Sequence, residues 1–61
     1  MYSLTLHVIT LFQGRVDTAI HTIHGFPDVH SALLEGAHLA EAFRIGAPSC
    51  ATVHTAYHAY K

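Results

Sequence analysis

The chain has 61 residues, of which 51% are apolar and only 11% are Asp, Glu, Lys or Arg, and its net charge is −1. A domain of this size buries only about 60% of the surface that its unfolded chain exposes, so its stability is marginal. Its single cysteine excludes an internal disulfide and a cysteine-ligated zinc site, the usual supports of small domains. We therefore expect residues 1–61 to form one domain that is stabilised by self-association.

The charges also limit the possible partners. The three basic residues are scattered: Arg15, Arg44 and Lys61. A nucleic-acid groove needs clustered cations, so we expect no direct binding of DNA or RNA. No cationic segment precedes the first apolar stretch, and Thr5, His7 and Thr10 interrupt it, which predicts neither a signal peptide nor a membrane span. We expect a cytoplasmic protein with a reduced thiol.

Residues 2–12 predict the first strand, because β-branched and aromatic residues alternate with polar ones. The even positions form the stronger apolar face, which is broken only by Thr10: Tyr2, Leu4, Leu6, Val8 and Phe12. The odd positions begin polar and become apolar at Ile9 and Leu11. A strand that is apolar on both faces is typical of the middle of a sheet.

Gln13 and Gly14 predict a turn into a second strand over residues 15–24. The loop length decides which face of this strand meets the helix, since a slip of one residue inverts every side chain. A two-residue loop places Asp17, Ala19 and His21 under the helix. A three-residue loop of residues 12–14 instead places there Val16, Thr18, Ile20 and Thr22. We expect the longer loop, because burying Asp17 without a partner would cost several kcal/mol.

Residues 26–46 form the only segment with a sustained helical period. Pro27 suits its first turn, Asp28 can cap the helix or face its positive end, and Gly46 before Pro48 is a stop signal. One arc of about 160° on this helix is apolar or small: Val29, Ala32, Leu33, Gly36, Ala37, Leu39, Ala40 and Phe43. An arc of this width predicts a helix that covers a sheet, and we expect the main contacts to come from Leu33, Ala37, Ala40 and Phe43.

After a connector at residues 47–49, residues 50–60 predict the third strand. Its odd positions suit the core: Ala51, Val53, Tyr57 and Ala59. A right-handed crossover through the helix places this strand beside the first one. The predicted fold class is therefore α+β: a ββαβ chain with a three-stranded antiparallel sheet in the order 2-1-3 and one helix packed on one face.

The seven histidines are the most unusual feature of the composition. In the expected register four of them lie on the helix-free face of the sheet: His7, His21, His54 and His58. Their spacing does not predict a chelate, since His54 and His58 lie about 13 Å apart at 3.3 Å per residue along one strand. We expect neither a metal ion nor a cofactor, and we interpret the histidines as polar surface or interface residues.

No catalytic motif is recognisable. Cys50 near His54 and Glu41 resembles a nucleophile with a base, but a lone cysteine at the start of an alanine-rich strand is more typical of packing. The chain has no Gly-rich phosphate loop and no GxSxG elbow. We therefore expect a protein without enzymatic activity.

Two sets of residues are candidate interface positions. On the outer side of the helix, a second stripe carries two large aliphatic side chains where solvent is expected: Leu34, His38, Glu41 and Ile45. On the helix-free face and the edge of the sheet, the candidates are His7, Ile9, His54, His58 and Tyr60. An edge strand with aromatic residues is also open to strand addition.

These features predict a non-enzymatic interaction protein that self-associates, as a dimer or larger, and binds a larger protein partner, whose activity it inhibits. Small chains of this kind are often accessory proteins of phages or mobile elements that block a host factor or a defence complex, an expectation that rests on size alone. The alternative is a small-molecule or histidine-ligated metal-binding module whose site forms between subunits. Assembly through histidine-bearing surfaces should weaken as the pH falls.

Overall fold

The computed structural model describes residues 1–61 and contains three strands and one helix: β1 (Tyr2–Phe12), β2 (Arg15–Phe26), α1 (Val29–Gly46) and β3 (Thr52–Tyr60). The strands form one sheet in the order β2-β1-β3, and both pairs are antiparallel. α1 packs on one face of this sheet. The predicted ββαβ fold and the central position of the most apolar strand are confirmed.

The core is very small and lies between β1 and α1. Only five of 61 residues are buried: Leu4, Leu6, Val8, Ala32 and Gly36. The three residues from β1 belong to the even face that the alternation of the sequence indicates, and Leu4 and Leu6 are almost completely inaccessible. The core is thus a single row of β1 side chains under the small residues of one helix face.

Both ends of α1 follow local rules of helix termination. Asp28 is the N-cap, and its carboxylate Oδ1 accepts a hydrogen bond of 2.7 Å from the backbone N–H of Ser31. At the other end the helix stops at Gly46, where the N–H of Ala47 donates to the carbonyl oxygen of Arg44 at 3.4 Å. The cap at Asp28 and the stop at Gly46 agree with the signals in the sequence, whereas Pro27, expected in the first turn, lies before the helix.

The β1–β2 hairpin has a two-residue loop, so the expected three-residue loop is wrong. Phe12 pairs with Arg15, and the loop residues Gln13 and Gly14 have φ values of 51° and 75°. Positive φ at both positions defines a type I′ turn, whose twist matches that of the two strands. Consequently four residues that we expected under the helix lie on the opposite face: Val16, Thr18, Ile20 and Thr22.

Asp17 escapes the desolvation that led us to reject this register. It pairs with Thr10 and shares the helix side of the sheet, yet it is exposed. The reason is that α1 packs on β3 and β1 and barely contacts β2, which stays exposed along almost its whole length. The expectation failed because it assumed that one helix covers all three strands.

The helix docks through a different ridge from the one expected. Ala32 and Gly36 are buried and Ala40 is half-buried, whereas Leu33 and Ala37 are exposed. A Cβ atom at Gly36 would lie 2.5 Å from Cδ2 of Tyr57 and 3.1 Å from Cδ1 of Leu4. The missing side chain therefore lets α1 approach β3 and β1 closely.

The remaining contacts at this interface are partial. Phe43, expected at the centre of the core, is 37% exposed and stacks on the ring of His21 with centroids 5.1 Å apart. His21 therefore lies on the helix side of β2, and its expected place on the open face is wrong. Val53, Tyr57 and Ala59 face the helix as predicted, because they pair with even positions of β1.

The start of β3 differs slightly from the expectation. The strand begins at Thr52, so Cys50 and Ala51 lie in the connector. Cys50 is exposed and unpaired, and its interpretation as a packing residue is therefore wrong.

The molecule is long and thin. Its radius of gyration is 12.5 Å and its principal extents are 39 × 17 × 12 Å. A compact chain of this length has a radius of gyration of about 10.5 Å. The two layers therefore leave much of the apolar surface of a single copy in contact with solvent.

Candidate interaction surface

The face of the sheet away from α1 is one continuous surface, which we call the open face. It consists of five residues from β1 (Ser3, Thr5, His7, Ile9, Leu11), five from β2 (Val16, Thr18, Ile20, Thr22, His24) and five from β3 (Thr52, His54, Ala56, His58, Tyr60). Cross-strand partners share a face in an antiparallel sheet, which fixes this set from the register alone. No element of the chain covers it.

None of these fifteen residues is Asp, Glu, Lys or Arg. The charged side chains of the chain lie elsewhere: Arg15 and Asp17 on the helix side of β2, Asp28, Glu35, Glu41 and Arg44 on or beside α1, and Lys61 at the end of the chain. Even the Lys61 ammonium turns toward the helix side, 5.4 Å from the ring centroid of Tyr2. An exposed face of this size without formal charge is unlike an ordinary solvated surface.

Apolar side chains concentrate at the hairpin end of the open face. Ile9, Leu11, Val16 and Ile20 form this hairpin patch, since Leu11 pairs with Val16 and Ile20 lies diagonally across from Ile9. Val16 and Ile20 are 64% and 62% exposed. The expected interface included Ile9 but not Val16 or Ile20. The overlooked signal was Gly14 in the second position of a two-residue loop, which indicates a type I′ turn and fixes the register.

Three histidines of the open face lie close together on β1 and β3. The rings of His7 and His58 stack with centroids 6.2 Å apart, and His58 lies 5.6 Å from the ring of Tyr60. His54 pairs with Ile9, next to the hairpin patch. The structure thus places His7, Ile9, His54, His58 and Tyr60 on one surface, as expected.

Two hydrogen bonds join polar side chains at the end of the open face opposite the hairpin. Thr5 Oγ1 donates to Tyr60 Oη at 3.2 Å, and Ser3 Oγ lies 2.7 Å from His24 Nδ1. No group of three or more His, Cys, Asp or Glu side chains is arranged to hold a metal ion within one chain. The polar groups of the open face are therefore paired or solvated rather than assembled into a ligand cage.

The outer stripe of α1 is exposed as expected. Leu34 and Ile45 contact solvent, and a shallow depression of about 430 Å³ is lined by Ser31, Leu34, Glu35 and His38. Arg44 donates two hydrogen bonds to the Glu41 carboxylate, one of them 3.1 Å long from Nε. These bonds lower the pKa of Glu41 and raise that of Arg44. Both side chains are solvated, so the pair adds little stability.

The two outer strands differ in how their free edges are protected. β2 carries Arg15 and Asp17 near the hairpin, and a register shift beside Gly25 interrupts its other end. β3 is nine residues long, TVHTAYHAY, and contains no charged residue, proline or glycine. Natural edge strands are usually blunted by such residues. The edge of β3 is therefore open to another strand.

Comparisons of the chain with protein-family models, curated proteins and solved structures gave no match. The single helix lacks the length and apolar character needed to cross a membrane. The geometry of the open face and of the strand edges is therefore the basis for a functional proposal.

Proposed function

We propose that this chain is a non-enzymatic interaction protein that self-associates and binds a larger protein partner through the open face. The observation that carries the proposal is the absence of charge from all fifteen residues of this exposed surface. Depletion of charged residues is the compositional mark of the centre of a protein interface. The same depletion on a solvated face would favour aggregation rather than solubility.

The small core supports self-association. Five buried residues in a two-layer domain provide little hydrophobic stabilisation against the entropy of ordering 61 residues. Small domains of this kind usually need a disulfide, a metal or a partner subunit. The only cysteine is free, and no metal cluster forms within the chain. A second copy is the remaining source of buried surface.

The hairpin patch is the most favourable place for the larger partner. Burying a valine, leucine or isoleucine side chain fully contributes about 1.5–3 kcal/mol, and this patch presents four of them side by side. His54 and the threonines beside it provide uncharged hydrogen-bonding groups for the rim. The exposed outer stripe with Leu34 and Ile45 is a second contact surface in this proposal.

Ile20→Lys tests the role of the patch. Ala19→Lys is the control, since Ala19 is the exposed neighbour on the opposite face of the same strand. Immobilised wild-type protein and the control should retain the same partner from an extract, whereas Ile20→Lys should lose it. Equal circular dichroism spectra for the three proteins would show that folding is unchanged. Retention by all three would contradict binding through the patch.

The kind of partner and the cellular setting are proposed from the small size of the chain. We place it among cytoplasmic accessory proteins of phages or mobile elements that inhibit a host factor or a defence complex. The exposed free thiol of Cys50 suits a reducing compartment. A surface that blocks a partner needs complementarity rather than catalytic groups, which agrees with the composition of the open face.

A histidine-ligated site between subunits is the second candidate function, favoured by the stacked rings of His7 and His58, 6.2 Å apart. One subunit provides two imidazoles close together, and zinc needs at least a third protein ligand. Measuring the mass of the protein with zinc and then with a chelator separates the two candidates. A mass of the assembly that rises with zinc and falls with chelator favours the metal site. A mass that changes with neither favours assembly by surface contact.

A further inference from the structure

We infer that two copies of this chain pair through the outer edge of β3, in antiparallel orientation about a two-fold axis at Ala56. The result is a continuous six-stranded sheet with both helices on one side and both open faces on the other. This inference rests on the proposed self-association and specifies its surface. Ala56 is the middle residue of β3, so this register pairs all nine residues, from Thr52 with Tyr60 of the other copy onward.

The backbone of β3 provides the first argument. β3 is paired with β1 on one side only, so alternate N–H and C=O groups along its other side have no strand partner. Its nine residues carry no charge, and two copies therefore approach without like-charge repulsion. Its residues are β-branched, aromatic, small or imidazole-bearing, which suits a central strand as well as an edge.

The position of α1 provides the second argument. Gly36 faces both Tyr57 of β3 and Leu4 of β1, which places the helix axis between these strands. Strands are spaced about 4.8 Å apart, so the axis of α1 passes about 5 Å from a two-fold axis that stands perpendicular to the sheet at the β3 edge. The two helices are then about 10 Å apart, within reach of the 8–10 Å at which packed helices contact.

Sheet twist gives the helices a suitable crossing angle. The helices are separated by two strand spacings, and each spacing contributes about −20 to −25° of twist. The resulting angle of about −40 to −50° belongs to the commonest class of helix packing, which is centred near −50°. Pairing through β2 would instead leave the helices about 19 Å apart, because α1 does not cover that strand.

The flank of α1 that this pairing buries is mainly apolar over its first turns, and Arg44 lies on it in the last turn. Val29, Leu33 and Ala37 are exposed beside the docking ridge, and a right-handed connection from β2 to β3 turns this flank toward the β3 edge. Ser31 and Glu35, on the other flank, are half-buried, whereas Leu33 is exposed.

The contact is large enough for a stable dimer. A nine-residue strand is about 30 Å long, and a sheet layer plus a helix layer is about 20 Å thick. Their product is a flat contact area on the order of 600 Å² per subunit, which the uneven side-chain surface would increase. The total of about 1,200 Å² for both subunits lies at the lower limit of specific interfaces, which bury about 1,200–2,000 Å² in total. A β2 edge contact lacks the helix layer, and on the same basis it provides about 400 Å².

Stacking two open faces accounts less well for self-association. Only the hairpin patch is strongly apolar, and a face-to-face contact would also bury threonine hydroxyls and four histidines from each copy. Buried polar groups without partners cost about 1–3 kcal/mol each in proteins. The β3 edge instead gains hydrogen bonds, and it leaves both open faces free for the larger partner.

Ala56→Lys and Ile20→Lys form a matched pair of tests. Both residues are exposed on the open face and pair with His7, one from each side, but they lie on different edges of the sheet. At the two-fold axis, Ala56→Lys places two like charges directly opposite each other, which opposes pairing. We expect sedimentation to give a dimer for the wild type and for Ile20→Lys, and a folded chain of half that mass for Ala56→Lys.

The outcomes separate the inference from the proposed function. A strictly monomeric wild type would overturn both self-association and its location. A dimer that survives Ala56→Lys, or one that Ile20→Lys also dissociates, would leave self-association intact and overturn the β3 edge. Circular dichroism of each variant identifies a loss of mass that comes from unfolding.

Oxidative cross-linking keeps the inference testable even if Ala56→Lys unfolds. In a Cys50→Ser background, Ala56→Cys places two thiols across the axis with Cα atoms about 4.5–5.5 Å apart, within the range that a disulfide spans. We expect oxidation to link this variant into a dimer and to leave the Ile20→Cys variant unlinked. Linkage of Ile20→Cys alone, or of neither variant, would overturn the proposed edge and register.

Discussion

At the scale of single residues, Asp28 holds the first turn of α1 and responds to pH. Its carboxylate accepts a hydrogen bond from the backbone N–H of Ser31, and this bond is the main reason that the pKa of Asp28 lies below its ordinary value. A folded-state pKa below the unfolded one means that the ionised cap stabilises the fold above the unfolded pKa. This contribution is lost as the pH falls through the folded pKa.

Replacing Asp28 should separate capping from titration. Asp28→Ala should melt at a lower temperature than the wild type at neutral pH, and the gap should close as the pH is lowered through about 4 and below. Asp28→Asn is the control, because asparagine caps helices well but does not titrate in this range. Thermal melts across this pH range measure both effects. A gap that is unchanged at low pH would show that the carboxylate charge contributes nothing.

Asp28 and Gly46 could be assigned from the sequence because their signals are local. A helix cap depends only on the capping residue and the three residues after it, so the local sequence reveals it. The exposed side chain of Asp17 shows the opposite case. Its environment depends on where a helix far along the chain is placed, and no local pattern contains that information.

At the scale of elements, α1 approaches the sheet closely at Gly36. Gly36→Ala would gain up to about 1 kcal/mol in helix propensity. The added methyl would collide with the ring of Tyr57, which must move together with Leu4 beneath it. We expect a net loss of about 1–3 kcal/mol in the free energy of unfolding, as measured by chemical denaturation.

Gly46→Ala is the control for this substitution. Gly46 is also helical, and a Cβ atom there would meet nothing within 4 Å. Its unfolding free energy should be unchanged or slightly higher. If Gly36→Ala were as stable as this control, the tight approach of α1 to β3 would be wrong.

The elements and their order follow from sequence patterns, whereas their registers do not. Alternation over residues 2–12, helical periodicity over residues 26–46 and the crossover rule lead to the sheet order β2-β1-β3. The hairpin register depended on one loop residue, and a desolvation argument about Asp17 outweighed the turn preference of Gly14. Because the wrong register was expected, Val16 and Ile20 were left out of the predicted interface and His21 was assigned to the wrong face of the sheet.

The helix ridge shows a similar limit. The apolar arc of α1 was identified correctly, but its buried centre lies at Ala32 and Gly36 rather than at Leu33 and Ala37. Hydrophobicity alone favours the larger side chains as the contact. Close packing against Tyr57 favours the smallest ones, and this depends on a tertiary neighbour.

At the scale of the whole molecule, the proposed pairing would give this thin domain a larger interior. One copy buries five residues and exposes apolar groups on the open face and on one flank of α1. Pairing at β3 covers the flank and doubles the open face into a six-stranded platform with two hairpin patches at opposite ends. A two-fold arrangement of this kind binds best to a partner that is itself symmetric or that offers two sites, because both patches then contribute to affinity.

The same arrangement predicts that acid weakens the dimer. Pairing about Ala56 places His54 of each copy directly opposite His58 of the other, with His7 stacked beside His58. Tyr60 also contacts His58, and β2 adds only His24, so no carboxylate on the open face offsets protonation. Protonated imidazoles carry like charges, and like charges opposite each other across a strand pair are destabilising.

Sedimentation in equal salt at about pH 8 and about pH 5 should therefore show the dimer at the higher pH and dissociation at the lower one. The double variant His54→Gln, His58→Gln removes the facing imidazoles and keeps polar side chains of similar size, so its dimer should persist at both pH values. His38→Gln is the control, because His38 lies exposed on the outer stripe of α1, away from the sheet and from the β3 edge. Equal acid sensitivity in the double variant and the wild type would place the responsible groups away from the β3 edge.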